Sequence, residues 1–400
     1  MIPASVERRA RWVLDTIGAR DLGFGDDVPY RAKAWEQVER NERPTGDEVA
    51  EAFFHLARLE ERGAPRDRHG RFLAATSCLD PLDPPVERLR RRLGIEPPRW
   101  DGARFAVALT HDVDIPWRWT RVGVRWAASR LKSHALSRRY ASAISEARAL
   151  AAIPLHKARG TDPNWRFDRI LAVEAEHRVR STFFVLAAHR HRADGPAPAL
   201  YARLRARLVE TIAGGGGELG LHGSYTAADD PGLLLEEKET LEALGGPLAG
   251  QRYHYLRLDP HRNLATLDRL GFRYDATLGF PDAPGFRAGI AHPFRPWDAA
   301  ADRPLRLVEI PLGAMDVTMS EERFLGLSAT AAERCLLALV RWAAEHGGGF
   351  SVLWHTDRFD RGTARGWDRL YLRLIAAVRD HGGVCLPAGR LAEEADDRLP

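Results

Sequence analysis

The stretch that decides the fold is FAVALTHDVDIP, residues 105–116. An apolar run ends there in His111, Asp112, Val113 and Asp114, followed by Ile-Pro. Because side chains alternate along a β-strand, Asp112 and Asp114 share a face if the strand continues. Two neighbouring carboxylates repel each other unless a cation lies between them or one is protonated. The stretch therefore predicts a buried strand whose end holds a cation or a shared proton.

Outward from this stretch, short apolar runs alternate with amphipathic helical segments. This alternation is typical of a parallel sheet covered by helices, and about eight such units indicate a closed or distorted barrel. We predict an α/β fold, a distorted (β/α) barrel of about seven strands preceded by a small, mostly helical N-terminal domain. The glycine run 214–217 predicts a helix stop and a tight turn into a strand. The predicted strands are RFAVALT (104–110), VRSTFFVLA (179–187), ELGLH (218–222), QRYHYL (251–256), FRYDATL (272–278), LRLVEIPL (305–312), FSVLWH (350–355) and GVCLP (383–387).

The chain divides at a proline-rich stretch, LDPLDPPVERLRRRLGIEPPRW (79–100), which predicts a short helix between two turns. We predict a mostly helical accessory domain over 1–100 and the barrel over 101–400, with a basic helical insertion at about 117–160. The insertion carries many arginines, three tryptophans and a single acid, Glu146. It could lie on an anionic membrane surface, bind a phosphorylated carrier, or form a solvated insertion beside the barrel.

Composition limits the class of protein. The 400 residues are 44% apolar and 28% charged, which is typical of a globular protein with a large core. A net charge of +4 does not by itself indicate nucleic acid binding, and we predict none. Three widely spaced cysteines form neither a disulfide framework nor a CxxC metal motif, so we expect buried thiols in a reducing compartment. The sequence has no apolar leader and no 18-residue apolar run, and the expected location is the cytoplasm.

Polar residues recur at the ends of the predicted strands. In a β/α barrel these ends converge, and the chemistry is carried there. Aspartates and histidines at such an edge suit a hard or borderline divalent metal, with one carboxylate left over as a base. Besides Asp112 and Asp114, the residues so placed are His222, Arg252, His254, Arg257, Asp275, His355 and Asp357.

The ordered set of motifs resembles the polysaccharide deacetylase family (NodB-homology, carbohydrate esterase 4-like), closest to a bacterial branch that carries HDVD after an N-terminal domain. LTHDVD (109–114) is similar to its first motif, RSTFFVLA (180–187) to its Thr-Phe-Phe strand, and LGLHGSYTA (219–227) to its histidine motif. RYHYLR (252–257) resembles the arginine motif and LWH (353–355) the last motif. The resemblance runs in order from about residue 104 to 390. It implies a NodB-like barrel that hydrolyses N- or O-acetyl groups of sugars with the help of a divalent metal.

The resemblance also implies roles by position. Asp112 corresponds to the general base that takes a proton from the attacking water, and Arg252 would hold its carboxylate by a charge-assisted hydrogen bond. His355 corresponds to the general acid that protonates the leaving group. Asp275 or Asp357 could hydrogen-bond His355 and set its tautomer.

The metal site departs from the family pattern at two positions. His222 matches the first metal-binding histidine, but the second acid of the family falls at Val113 and its second histidine at Thr226. The shared strand face makes Asp114 the replacement for the acid, and residue type makes His254 the replacement for the histidine. His111 points away from both acids by alternation. The expected metal is zinc, with cobalt, manganese or nickel as alternatives.

The expected substrate is an acetylated sugar of surface polysaccharide metabolism, either a nucleotide-linked or lipid-linked sugar or a precursor of a surface polysaccharide. The predicted substrate contacts are Tyr225, Trp117, Arg257 and Asp275, because an aromatic ring can stack on a sugar and polar groups can orient it. Two other functions stay open. One is a metal-independent hydrolase of the same fold that cleaves C–N bonds of amides, and the other is an inactive barrel that binds a glycan.

Overall fold

Eleven β-strands lie in the part of the chain that the structure describes, residues 2–360, 362 and 364–399 of a computed structural model. They are β1 (Phe105–Val113), β2 (Thr182–Leu186), β3 (Glu218–Gly223), β4 (Gly250–Tyr253), β5 (Tyr274–Asp275), β6 (Trp297–Asp298), β7 (Arg303–Pro304), β8 (Val308–Glu309), β9 (Leu312–Met315), β10 (Gly348–Leu353) and β11 (Val384–Leu386). Nine of these form one sheet in the order β8-β5-β4-β3-β2-β1-β10-β9, with β11 paired to β1, while β6 and β7 form a separate antiparallel pair.

The nine-stranded sheet is parallel throughout its described ladders and curls into a distorted barrel. Its two end strands, β8 and β9, are separated only by Ile310 and Pro311. The predicted strand over 305–312 is thus two strands, because Pro311 has no backbone N–H to donate to a ladder. The predicted α/β fold and distorted (β/α) barrel are confirmed.

Helices cover the sheet and also make up the N-terminal region. The signals read from the sequence set several of their ends: α9 stops at Gly214, and the glycines that follow turn the chain into β3 at Glu218. The helices are α1 (Ala4–Thr16), α2 (Ala32–Glu39), α3 (Glu48–Leu56), α4 (Pro85–Arg92), α5 (Arg121–Leu136), α6 (Tyr140–Ala151), α7 (Ile153–Arg159), α8 (Phe167–Glu176), α9 (Pro198–Gly214), α10 (Pro231–Gly245), α11 (Pro260–Arg269), α12 (Asp316–Ser320), α13 (Ala329–His346), α14 (Trp367–Asp380) and α15 (Ala388–Asp396).

The N-terminal helices share one hydrophobic core with the barrel. Trp12 of α1 packs on Trp297, with ring centroids 5.0 Å apart. Glu61 is fully buried and pairs with Arg287 of the barrel at 2.6 Å and with Arg58 at 2.9 Å. Burial alone would raise the pKa of Glu61, but the two guanidiniums outweigh it and lower that pKa. The N-terminal region is therefore firmly attached, and its division from the barrel at residue 100 stays a prediction.

The structure bears on two expectations from composition, which concern membrane-spanning segments and the burial of the cysteines. In the described residues, no helix combines the length and the apolar character needed to cross a bilayer. The three cysteines are free thiols. The expectation that they are buried is wrong: Cys78 is exposed on the loop before α4, and Cys335 and Cys385 are only half-buried.

Candidate active site

The carboxyl ends of β1, β3 and β4 bring together the acids and histidines that the sequence singled out. Nε2 of His222 lies 3.2 Å from Oδ1 of Asp114 and 3.5 Å from Oδ2 of Asp112. Nε2 of His254 lies 3.6 Å from Oδ2 of Asp114. One donor atom each from Asp114, His222 and His254 lies within 4.8 Å of the other two. Both aspartates thus face the same group, as the alternation along β1 predicts, and we call Asp114, His222 and His254 the central group.

Outer contacts fix the orientation of both histidine rings in the central group. Nδ1 of His222 lies 2.9 Å from the carbonyl oxygen of Arg252, on the neighbouring strand. Nδ1 of His254 lies 2.9 Å from Oδ1 of Asp194, which is fully buried and also accepts from the N–H of Tyr225. A metal-binding histidine commonly uses its second nitrogen in this way, on a carbonyl or a carboxylate. Each ring is therefore held with Nε2 toward Asp114.

Two atoms of the central group give an independent test of whether a cation fits. Nε2 of His222 and Oδ1 of Asp114 are buried and lie 3.2 Å apart, but not in hydrogen-bonding geometry, and neither makes a hydrogen bond to any other residue that the structure describes. Buried polar atoms without a partner are costly, and a positively charged ligand would satisfy both. Imidazole nitrogens and a carboxylate oxygen are also the donors that zinc accepts. The residues present therefore fit a divalent metal.

The charges around the central group also favour a cation. Burial alone would raise the pKa of Asp114, but His254 and His222 outweigh it and hold that pKa well below its usual value. Burial would lower the pKa of His254, yet the carboxylates of Asp114 and Asp194 raise it to about 9. The carboxylates thus stabilise positive charge at this position.

Asp112 is held at the edge of the central group by Arg252. Nη1 of Arg252 donates to Oδ1 of Asp112 at 3.0 Å and to Oγ1 of Thr110 at 2.8 Å, while Nε donates to the carbonyl of Ala276 at 2.8 Å. Arg252 is fully buried and its guanidinium lies over the ring of Phe184, 4.6 Å from the centroid. Oδ2 of Asp112 is left facing His222.

His355 follows β10 and faces the central group from the opposite side. Its Nε2 lies 3.7 Å from Oδ2 of Asp114. Its Nδ1 lies 2.6 Å from Oδ1 of Asp316, and its backbone N–H donates to the other oxygen of the same carboxylate at 2.9 Å. Burial opposes protonation of His355, but Asp316 and the other acids outweigh it and raise its pKa to about 10. The ring is therefore oriented and charged by a buried aspartate.

The aspartate that orients His355 is not one that the sequence predicts. Asp357 is largely exposed, and Asp275 is fully buried beside Gln251 and Thr277, away from His355. Asp316 follows directly after β9. The same signal, an acid at a strand end, was present in GAMD (313–316), but the predicted strand stopped too early, at residue 312.

An open pocket of about 630 Å³ lies beside the central group. Asp114, His254 and Tyr225 line it, together with residues that the sequence did not indicate: Arg68, His69, Ile115, Trp126, His191, Arg192, Ala193, Gly195 and Tyr255. Arg68 and His69 come from the N-terminal region, which therefore helps to form the pocket. Trp126 lies on α5 and the others lie outside the strands, so polar residues at strand ends do not mark them.

The aromatic wall of the pocket is rigidly built. The ring of Tyr225 stacks on His191 at 4.4 Å, and its hydroxyl lies 3.1 Å from Nδ1 of His69. Tyr255 and Leu256 follow His254 with φ angles of 62° and 54°, in the left-handed region that residues with a Cβ rarely adopt. This conformation directs the Tyr255 ring onto His254, with centroids 4.8 Å apart. Backbone strain of this kind is concentrated at functional sites.

Three of the four predicted substrate contacts lie elsewhere. Arg257 lies behind Tyr225, 4.2 Å from its ring centroid, and pairs with Asp229, so it supports the pocket wall. Trp117 packs on Trp165 and is not among the residues that line the pocket. Asp275 is fully buried in β5. Of the four, Tyr225 alone lies on the pocket wall, and Arg257, Trp117 and Asp275 do not line this pocket.

Several solved structures resemble this fold. A protein from Mycobacterium smegmatis, assigned as a polysaccharide deacetylase, matches with a TM-score of 0.50 and 21% sequence identity, over 76% of this chain and 94% of that chain. The chain described here therefore has the polysaccharide deacetylase fold. A carbohydrate esterase 4 family pseudoenzyme from Bacillus anthracis matches at a TM-score of 0.37 and 12% identity (73% of this chain, 66% of that chain), and a deacetylase determined with substrate at 0.34 and 13% (72% and 90%). No family model and no curated protein matches the chain.

Two positions, Val113 and Thr226, depart from the family's metal-binding motifs, and neither supplies a ligand to the central group. Val113 is buried in the hydrophobic core, on the face of β1 opposite Asp112 and Asp114. His111 lies on that same far face, between the carbonyl of Trp354 and the carboxylate of Glu174. Thr226 offers only a hydroxyl, and that hydroxyl makes no hydrogen bond to a described residue. His254 is the histidine that joins His222.

A second group of possible metal donors lies in the N-terminal region. His55, Glu60 and Cys78 also bring one donor atom each within 4.8 Å of the others. Both oxygens of Glu60 are already used, one by Arg58 at 2.8 Å and the other by Ser77 at 2.9 Å and the N–H of Cys78 at 3.1 Å. Partial desolvation of the thiol and the nearby Glu60 raise the pKa of Cys78 to about 11, so its thiol keeps its proton. We assign no metal to this group.

Proposed function

We propose that the protein is a metal-dependent hydrolase that removes N- or O-linked acetyl groups from a carbohydrate. The observation that supports this most is the arrangement around Asp114. Three donors suit a divalent metal, an arginine-held carboxylate lies on one side, and a histidine–aspartate pair lies on the other. Hydrolysis of an amide or ester needs an electrophilic centre, a base and an acid, and the arrangement offers a candidate for each.

Asp114, His222 and His254 are the residues that would hold the metal. A divalent ion bound there would polarise the acyl carbonyl and lower the pKa of water, which is the usual chemistry of zinc and is also accessible to cobalt, manganese and nickel. Asp194 and the carbonyl of Arg252 orient the two imidazole rings, so the ligand geometry is preorganised by the fold.

Asp112 is the proposed general base. Its Oδ1 is fixed by Arg252, and its Oδ2 faces the central group, where it can accept a proton from the attacking water. The guanidinium keeps the carboxylate in one rotamer and compensates its charge, and Thr110 and Ala276 hold the guanidinium in turn. The base is therefore positioned by a buried network that does not depend on substrate.

His355 is the proposed general acid. With a pKa raised to about 10 by Asp316, its ring is protonated near neutral pH. Asp316 occupies Nδ1, which leaves Nε2 directed toward the central group. A proton at Nε2 can pass to the departing amine or alcohol of the sugar.

The pocket supports a carbohydrate as substrate. Its volume of about 630 Å³ is in the range of small-molecule sites. Tyr225, Tyr255 and Trp126 offer ring faces for a pyranose, and Arg68 and Arg192 lie at its wall with charge for an anionic substituent. An acetylated sugar linked to a nucleotide or a lipid has both features.

Release of acetate from an acetylated oligosaccharide tests this function. Asp112→Asn should lower the rate by at least about a hundredfold, because loss of a general base costs that much, while the melting temperature stays within a few degrees. The matched control is Asp357→Asn, an exposed carboxylate two residues from His355, which should retain turnover. A chelator should abolish the activity and added zinc should restore it.

Three results would contradict the proposal. Wild-type turnover by Asp112→Asn would remove the proposed base. Activity that resists a chelator would favour a metal-independent amide hydrolase. A rise in melting temperature with a glycan, without release of acetate from any acetylated sugar tried, would favour an inactive binding barrel.

A further inference from the structure

The helices α5, α6 and α7 form a strongly basic surface. Their span, residues 121–159, contains nine lysines and arginines but a single acid, Glu146. We call this span the insertion surface. Its basic residues are Arg121, Arg125, Arg130, Lys132, Arg138, Arg139, Arg148, Lys157 and Arg159.

Most of these cations are not neutralised. Glu146 is buried, where it pairs with Arg118 at 2.8 Å and with Arg130 at 2.7 Å, and Arg139 pairs with Glu322. The other seven basic residues of the insertion surface are exposed, and none of them forms an ion pair with a residue that the structure describes. The surface therefore presents a positive field, because seven of its nine cations have no counter-charge paired to them among the described residues.

The insertion surface is also unusually apolar for an exposed region. Five of the nine large apolar side chains that are exposed in the described part of the chain lie on it: Trp126, Leu136, Tyr140, Ile144 and Leu155. Leu136 is 75% exposed and Tyr140 is 64% exposed. An exposed leucine is ordinary on its own, but a cluster among cations marks an interaction site.

The apolar side chains and the cations meet at the turn between α5 and α6. Leu136 ends α5, Tyr140 begins α6, and Ile144 lies one helical turn further on, on the same face as Tyr140. Lys132 precedes this tip and Arg138 lies within it. Few residues of the three helices are buried, namely Gly123, Ala127, Ala143 and Glu146. One side of the helices is thus left without a protein partner in this chain.

We propose that the insertion surface docks on an anionic lipid membrane. Helices that combine lysine and arginine with exposed leucine, tyrosine and tryptophan lie in the headgroup region, where the apolar side chains enter the acyl boundary and the cations meet lipid phosphates. A soluble polyanion would satisfy the cations but would leave Leu136, Tyr140 and Ile144 in water. The combination therefore selects a lipid surface.

The position of this surface brings the pocket close to the membrane. Trp126 belongs to the insertion surface and also lines the pocket that contains Asp114 and His254. Docking would place the pocket mouth beside the lipid headgroups. Membrane binding itself does not depend on the proposed hydrolase activity, so the two can fail separately.

Co-sedimentation of the full chain with vesicles tests the docking. At low salt we expect binding to phosphatidylcholine vesicles that contain phosphatidylglycerol, and little binding to phosphatidylcholine alone. Lys132→Gln combined with Arg138→Gln should weaken partitioning roughly 30-fold, at about fivefold for each cation removed. Leu136→Ser combined with Ile144→Ser should weaken it about tenfold through lost apolar contact.

Matched controls distinguish binding through the insertion surface from nonspecific effects of charge and of exposed apolar side chains elsewhere on the protein. Leu235→Ser with Leu244→Ser removes two exposed leucines from α10, which are 38% and 44% exposed, and Arg273→Gln with Arg306→Gln removes two exposed cations from the barrel. Both pairs should bind vesicles like the wild type, and melting temperatures confirm that every variant is folded. Failure of the wild type to bind anionic vesicles, or equal losses in the controls, would overturn the proposal. So would full binding by the Leu136/Ile144 variant, because the contact would then be purely electrostatic.

Discussion

Two groups of side chains in this protein each bring a histidine, a carboxylate and a third donor within 4.8 Å, yet they differ in almost every other respect. In the central group, Oδ1 of Asp114 and Nε2 of His222 have no hydrogen-bond partner among the described residues. In the N-terminal group, Arg58 and Ser77 already occupy the oxygens of Glu60. Close donors and unpartnered histidine nitrogens are therefore common to both groups, since Nδ1 and Nε2 of His55 also make no hydrogen bond to a described residue. Of the two carboxylates, only Asp114 has an unpartnered oxygen.

The difference shows what a metal site requires beyond short distances. A carboxylate that is paired with an arginine has its charge compensated, and a metal would have to displace the guanidinium. A thiol whose pKa is raised, as at Cys78, is also a poor ligand because the thiolate is the ligand form. The central group instead has imidazoles fixed through Nδ1 and a carboxylate that faces them.

The largest expected effect is the loss of a ligand. His254→Ala should weaken zinc binding by more than about a hundredfold, since losing a ligand costs more than losing an outer contact. His55→Ala should leave zinc affinity unchanged, although burial of His55 means that the variant melts at a lower temperature. The measurement is the rise in melting temperature across a zinc titration. A smaller zinc response in His55→Ala than in His254→Ala would invert the comparison.

A smaller effect is expected from the outer contact of His254. Asp194→Asn keeps the shape of the side chain but weakens its hold on Nδ1, so zinc affinity should fall about 10- to 100-fold. Asp229→Asn, an exposed acid paired with Arg257, is the control and should bind zinc like the wild type. Equal zinc affinity in the Asp194 variant would mean that the ring is held by packing alone.

The smallest expected effect is on stability and concerns Glu237. Unlike Asp114 and Glu60, this buried carboxylate lies in neither group of possible metal donors and forms no ion pair with a described residue. Ser224 donates to it through Oγ at 2.5 Å and through N–H at 2.9 Å. Burial raises its pKa to about 7. Its share of the folding stability is therefore full below about pH 4.5, where the unfolded side chain is also protonated, and is lost as the pH rises through about 7.

Glu237→Gln should remove this pH dependence. Between about pH 5 and pH 8, the free energy of unfolding of the wild type should fall by about 1 to 3 kcal/mol relative to the variant. Urea unfolding at several pH values measures it. If the free energy of unfolding changed with pH in the same way in both proteins, Glu237 would have to stay ionised in the folded state, which would contradict the prediction.

Much of the fold could be predicted from the sequence, because the hydrophobic periodicity marks the strands and helices and the polar residues mark where strands end. The apolar runs alternate with helical segments, and the two-residue spacing of Asp112 and Asp114 predicts that they share a face. Pro311 limited the accuracy, since it divides one predicted strand into β8 and β9 and moves the strand end to Met315. Asp316 was missed for this reason alone.

Other parts of the site carry no local signal. Asp194 lies in a loop after β2, and its contact with His254 joins residues 60 positions apart. Arg68 and His69 reach the pocket from the N-terminal region through long-range packing that no periodicity reports. The misplacement of Asp275 has a similar origin, because a strand-end acid can turn into the core as readily as toward a ligand.

The most direct test of the central claim is anomalous X-ray scattering from crystals of the zinc-loaded protein. We predict a single strong peak at about 2.0–2.2 Å from Nε2 of His222, Nε2 of His254 and a carboxylate oxygen of Asp114. A peak between His55 and Cys78, or no peak at Asp114 in crystals grown with zinc, would contradict it.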